Sequence, residues 1–189
     1  LSSLGSLTIH RNDSLIQIPV KAKDNTGHIE YKVVHTPEGN YWISIFGNLF
    51  YLDSELNTLP FSDDIKADHM RYWCFPGPDN NTWLYRSKEN KQDLVVLKED
   101  SIINRIELPF SCGIARFFSP AFSDGYLFFH CGHNLLRYHL QDQTVDLLFS
   151  GLPLSSDILI WENRLWVTYP KEGVVAYNIH QNGELSEYA

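Results

Sequence analysis

One unit recurs along this chain at a nearly constant interval, and that interval restricts the fold more than any single motif does. The stretch GNLFYLDSELNTLPF from Gly47 reads as an alternating strand, a short polar turn and a second strand. Its counterparts are GSLTIHRNDSLIQIPV from Gly5, DLVVLKEDSIINRIELPF from Asp93, NLLRYHLQDQTVDLLF from Asn134 and GVVAYNIHQNGELSEYA from Gly173. Each carries the signature of a hairpin. Successive starts lie about 40–46 residues apart, within the spread of propeller blades.

The segments between these hairpins recur as well. IEYKVVHTPEGNYWISIF begins at Ile29, MRYWCFPGPDNNTWLYRSK at Met70, IARFFSPAFSDGYLFFHCG at Ile114 and SSDILIWENRLWVTYP at Ser155. Each is an apolar strand, a turn rich in Pro, Gly, Asn or Asp, and a strand opened by a large residue, with Trp42, Trp83, Leu127 and Trp166 in equivalent places. No segment shows an extended helical period, and Pro and Gly fall where turns need them. A four-stranded unit of this length cannot bury both its faces alone. Setting such units side by side about an axis buries the faces between neighbours.

The expected fold is therefore an all-β β-propeller: four full four-stranded blades plus an outer hairpin at the start. The units run over residues 5–20 (partial), 29–61, 70–110, 114–149 and 155–189. The chain opens on the outer hairpin of one blade, whose two inner strands lie outside it. A five-bladed ring and an arc of a larger propeller both fit this register.

Composition narrows the function. Aromatic residues make up 14% of the 189 residues, in keeping with pleated, half-buried surfaces. With 15 basic and 23 acidic residues the formal charge is −8, and no basic run is present. That excludes the phosphate footprint of a nucleic-acid binder. No apolar run approaches the roughly 18–20 residues of a membrane span, so no direct membrane insertion by this segment is expected. Cys74, Cys112 and Cys131 cannot all pair within one chain. Small buried side chains with free thiols are the expectation for them.

The unit VVHTPEGNYWISIFGNLFYLDSEL, from Val33 to Leu56, resembles the two-component-regulator propeller repeat, through Glu38, Gly39, Trp42, Gly47, Leu49 and Asp53. Asp79 and Trp83 match in the next unit, Asp124 and Gly125 in the third, and Trp166, Gly173 and Tyr177 in the fourth. The resemblance covers most of the chain, although other bacterial propellers share the same skeleton. It implies an extracytoplasmic sensor domain, periplasmic or extracellular, joined to a kinase, cyclase or DNA-binding output module.

Candidate chemistry is sparse. Ligand sites are expected in the loops joining an outer strand to the next inner strand, and in those joining the two middle strands. Such loops include Lys21 to His28, Ser62 to His69, His130 to His133 and Pro170 to Glu172. The ligand-binding candidates are Arg71, Arg116, His69, His130, His133 and Lys171. Arg71 and Arg116 open otherwise apolar inner strands, where a guanidinium would meet an anionic ligand with bidentate geometry.

His130, Cys131 and His133 combine imidazole and thiolate ligands within four residues, a weak metal-binding pattern that His69 or Cys112 would have to complete. A tight turn with one buried cysteine and surface histidines accounts for the same stretch, and no metal or other cofactor is expected. Ser111-Cys112-Gly113 lacks a G-x-S-x-G elbow, and Asp63-Asp64 and Glu99-Asp100 fall in turns. The sequence favours a non-catalytic sensor that binds a small molecule, anionic or carbohydrate, or a protein partner. A metal-dependent lyase or lactonase and a protein-interaction platform are the alternatives.

Overall fold

The computed structural model describes residues 4–11, 14–21, 31–45, 48–66, 71–88, 91–108, 120–153 and 157–188, with side chains from residue 31 onward. Among them are seventeen strands in five antiparallel sheets. Sheet 1 is the opening hairpin, β1 (Leu4–Arg11) and β2 (Ser14–Lys21), with Arg11 opposite Ser14. Sheet 2 holds β3 (Tyr31–His35), β4 (Tyr41–Ile45) and β5 (Asn48–Leu52). Sheet 3 holds β6 (Arg71–Pro76), β7 (Thr82–Lys88), β8 (Lys91–Lys98) and β9 (Ser101–Glu107). Sheet 4 holds β10 (Ala121–Ser123), β11 (Tyr126–Cys131), β12 (Asn134–His139) and β13 (Val145–Phe149). Sheet 5 holds β14 (Asp157–Trp161), β15 (Arg164–Tyr169), β16 (Gly173–Ile179) and β17 (Leu185–Glu187). Within every sheet the strands follow chain order, as meandering blades do, and the fold is an all-β β-propeller.

The outer strand of the 29–61 unit is reduced to one bridge, Leu52 to Thr58. Asp53 explains part of this. Its carboxylate accepts from the Glu55 and Asn57 backbone amides at 2.9 and 2.8 Å and from the Asn57 side chain at 3.0 Å, closing a local turn. Pro60 then withholds a ladder donor. Leu59 and Phe61 still contribute side chains to the core, and Phe61 meets Trp42 edge-on at 5.1 Å.

A local rule sets the register of the blades. Gly39, Asn80, Gly125 and Asn163 all have positive φ, at 88°, 59°, 88° and 57°. Left-handed residues at these tight turns match the twist of the flanking strands, and Gly and Asn adopt them at least cost. Three residues after each comes a large side chain: Trp42, Trp83, Phe128 and Trp166. Phe128 therefore takes the place expected for Leu127. Counting from the turn settles this, because one step along a strand reverses the face.

Two compact units are distinguished, residues 1–88 with 93–105, and residues 89–92 with 106–189. In unit 1 the core joins Val34, Trp42 and Tyr51 of sheet 2 to Tyr72, Cys74, Leu84, Val95 and Leu97 of sheet 3, with Ile65 beside them. Trp42 stacks on Tyr51 at 4.4 Å, and the Ser44 hydroxyl accepts from the Cys74 amide at 3.1 Å. In unit 2 Phe128 and Leu135 of sheet 4 meet Ile158, Leu165, Val167, Tyr169, Tyr177 and Ile179 of sheet 5. An aromatic ring buried this way removes roughly 150–250 Å² from water, worth up to about 4–6 kcal/mol at about 25 cal/mol per Å².

Candidate functional site

Three turns of unit 1 enclose a small polar cleft of about 60 Å³, lined by residues 36–38, 79–82 and 97–99. The turns are β3–β4, β6–β7 and β8–β9. Each is held by its own hydrogen bonds. Thr36 N–H donates to the Asn40 carbonyl at 2.8 Å, and Asn40 N–H donates to the Thr36 hydroxyl at 3.2 Å. Gly77 N–H donates to the Asn81 carbonyl at 2.8 Å. The Trp42 indole N–H reaches across to the Glu99 carbonyl at 3.1 Å, tying the β8–β9 turn to sheet 2. Beneath, the Asn40 carboxamide donates to the Tyr51 hydroxyl at 2.9 Å.

Thr36, Thr82 and Leu97 form the buried floor of the cleft, and Glu38, Asp79, Asn80, Lys98 and Glu99 its exposed rim. The rim thus carries three carboxylates against one ammonium. Tyr51 senses that field: burial pushes its hydroxyl pKa upward, and the charges of Asp100, Glu38 and Glu99 add to the rise against the Asn40 hydrogen bond. Such a set of carboxylates, carboxamides and hydroxyls suits hydrogen-bond donors, as in a hydroxyl-rich or cationic ligand, and repels anions.

This cleft lies at the opposite end of the strands from the loops in which sequence reasoning expected a ligand. Of those loops, His130 to His133 and Pro170 to Glu172 are described in full, whereas residues 22–28 and 67–69, with His69, and also Arg116 lie outside the described residues. Arg71 is the first residue of β6, half-buried opposite Ser87. The other candidates all belong to unit 2. His130 is the last but one residue of β11, before Cys131, His133 follows in the turn, and Lys171 lies exposed in the β15–β16 turn.

His130 is buried, 5.9 Å edge-on from the ring of Tyr169. Burial, with a smaller contribution from the charge of nearby His133, pulls its pKa from 6.5 down to about 4. The Gly132 backbone offsets part of that shift without reaching hydrogen-bonding geometry, so neither ring nitrogen has a hydrogen-bond partner. His133 is exposed, with Nδ1 2.7 Å from the Leu152 carbonyl, the arrangement of an N–H donating to it.

The cysteines depart from the free-thiol expectation. Cys131 is fully buried and disulfide-bonded, which removes it from any metal-ligand set. Two of three cysteines can pair where three cannot. Cys74 is the free thiol among the described residues, its Sγ directed at the Lys32 and Trp42 carbonyls at 3.4 and 3.5 Å. Burial pushes its pKa up to about 11, which makes it inert. Cys112 lies outside the described residues.

Sequence reasoning missed a charged core in unit 1. Arg86 is 1% exposed and Asp93 is 3% exposed. They pair bidentately, Nε to Oδ1 at 2.9 Å and the terminal nitrogen to Oδ2 at 2.7 Å. Arg86 also donates to the Asp64 carbonyl at 2.6 Å, and the half-exposed Arg105 donates to Asp93 at 2.7 Å. The available signal was an Arg and an Asp flanking a tight hairpin in otherwise apolar strands. The network staples the loop before β6 to sheet 3.

No family model matches the chain, and no curated protein does. Solved structures do resemble it. Two are of the extracellular domain of BT4673 from B. thetaiotaomicron, titled a one component system in one and a hybrid two component system in the other. They match at 18% and 21% identity with TM-scores of 0.59, covering 87% and 82% of this chain and 22% and 21% of theirs. A protein of unknown function from Bacteroides caccae matches at 12% identity with a TM-score of 0.65, covering 99% of this chain and 70% of its own. The dihydro-heme d1 dehydrogenase NirN, solved in complex with DHE, matches at 14% identity and 0.63, covering 97% and 42%. The chain thus spans about a fifth of the BT4673 structures. Among the described residues no helix is long and apolar enough to cross a membrane. At such identities the likeness is one of fold: a β-propeller like that of the extracellular domain of a two-component system.

Proposed function

We propose that this chain is a non-catalytic, ligand-binding propeller module, the extracytoplasmic sensing part of a larger bacterial regulator. The observation that carries the reading is the shared fold with the extracellular domain of BT4673, over more than four-fifths of the chain. A disulfide at Cys131 supports placement in an oxidising compartment. The cleft of unit 1 is the ligand site of this reading; at about 60 Å³ it takes a single hydroxyl or ammonium group of a larger ligand, and its acidic rim favours such a group over a carboxylate. His133 and Lys171 in unit 2, and separately Arg71 in unit 1, are the remaining candidates for an anionic ligand.

A thermal-shift screen of the chain against neutral oligosaccharides, sugar acids and polyamines tests this, with calorimetry on each hit. A neutral or cationic hit should raise the melting temperature by several degrees and be recovered chemically intact. Its affinity should fall at least tenfold in Glu38→Gln/Glu99→Gln and stay unchanged in Arg71→Ala/Lys171→Ala. The reverse pattern would move the site to the other end of the strands. Turnover of a hit would make the chain an enzyme, and a screen without hits would defeat the sensing reading.

A further inference from the structure

Trp42 fills the joint between sheets 2 and 3 with its ring, and its indole N–H has a separate task. The N–H donates at 3.1 Å to the Glu99 carbonyl, 57 residues along the chain and in the other sheet. The cleft of unit 1 has three walls. Two are closed within their own turns, by Thr36 N–H to the Asn40 carbonyl and by Gly77 N–H to the Asn81 carbonyl. The third, the β8–β9 turn, is held from outside by Trp42.

The bond falls on a residue under backbone constraint. Glu99 has a φ of 55°, a left-handed conformation that glycine adopts freely and a glutamate does not. The β3–β4 turn fills its left-handed place with Gly39, and the β6–β7 turn with Asp79 and Asn80, types that tolerate it. A glutamate persists at the third place because its surroundings determine it. Glu162, left-handed at 49° in the β14–β15 turn of unit 2, supplies the comparison: its carboxylate lies 3.5 Å from Arg164.

Trp42, Tyr51 and Glu99 act as one packed group. The Trp42 and Tyr51 rings stack at 4.4 Å, and the charge of Glu99 is among those that raise the Tyr51 pKa after burial does. A carboxylate fixed on such a turn offers a primary ammonium a charge-assisted hydrogen bond, roughly twice as strong as the neutral bond a hydroxyl makes.

We propose that Trp42 is a positioning residue of the cleft, holding the Glu99 backbone so that Glu99 selects a ligand's primary ammonium over a hydroxyl, a preference that rests on the cleft being the ligand site of unit 1. Trp42 itself touches no ligand. It fixes the turn, and the Glu99 side chain follows.

Proton–nitrogen NMR titrations of the 189-residue chain test this, with propylammonium chloride and propanol as probes at constant ionic strength. Propylammonium should move the amides of residues 36–38, 79–82 and 97–99 and bind about tenfold more tightly than propanol. The Trp42 indole N–H resonance should shift along the same binding curve. Glu99→Gln should remove most of that tenfold preference. Trp42→Phe, which keeps a buried ring without an N–H, should retain its circular dichroism and lose the preference to the same extent, with every rim carboxylate still present. Glu162→Gly should leave the preference intact, and both it and Glu99→Gly should raise the urea midpoint by relieving left-handed backbone. A silent Trp42 indole, or a full preference in Glu99→Gln or in folded Trp42→Phe, would overturn the positioning role and leave the cleft as a ligand site. If neither probe moved the cleft amides, the ligand site itself would fall, and the preference with it.

Discussion

His130 and Gly77 show how single residues report on the joints of this fold. Burial against Tyr169 holds the His130 imidazole neutral, with a folded pKa of about 4 against 6.5 for an unperturbed ring. The unfolded chain takes up a proton between those values that the folded chain refuses. Stability is therefore full above pH 6.5 and falls as pH drops toward 4, by up to about 3 kcal/mol from this one group. Urea unfolding at pH 7.5 and 4.5 should show that loss. His130→Leu should lose less over the same range, since the remaining acid sensitivity belongs to carboxylates such as Asp146, whose pKa the Arg137 hydrogen bond depresses. Equal slopes for the two proteins would contradict the buried neutral ring. Gly77 has ordinary extended backbone, so its absent side chain is what matters: a Cβ there would strike the Trp83 indole. Gly77→Ala should cost about 1–3 kcal/mol, the usual range for overpacking, measured by the shift in urea midpoint.

At the scale of elements, the hairpins were the legible part and the joints between them were not. Alternation, turn residues and the interval were enough to locate β1–β2, β8–β9, β12–β13 and β16–β17, because those signals are local. Leu127 was misplaced by one step because its position was judged by size, whereas the left-handed Gly125 three residues before Phe128 sets the register. The outer strand near Leu59 dissolved into a bridge because Asp53 and Pro60 compete with the ladder. Arg86 read as an ordinary polar residue, since its burial depends on Asp93 lying across the hairpin and on a carbonyl from a distant loop. The cleft itself was not legible, because convergence of the β3–β4, β6–β7 and β8–β9 turns is a tertiary fact. The charged core can be tested as a cycle. Arg86→Met alone leaves a carboxylate buried with only the half-exposed Arg105 against it, and should cost about 3–5 kcal/mol. Arg86→Met/Asp93→Leu should regain most of that loss in the same urea assay, because neither charge is then stranded.

For the whole molecule, the account rests on a repeated sheet whose large residue closes the joint to its neighbour. Trp42 and Phe128 are buried in this role, one in each unit, whereas Trp166 is only half-buried, on the face of sheet 5 that bears the exposed Leu159 and Trp161. The same repetition brings the polar turns of sheets 2 and 3 together at one end of the strands, where they form the cleft. The most direct test is urea unfolding of three alanine variants. Trp42→Ala and Phe128→Ala should each lose about 3–5 kcal/mol, and Trp166→Ala no more than about 2, because its cavity forms beside solvent. A Trp166→Ala loss as large as the other two, or a small loss at either of them, would contradict the repeated joint.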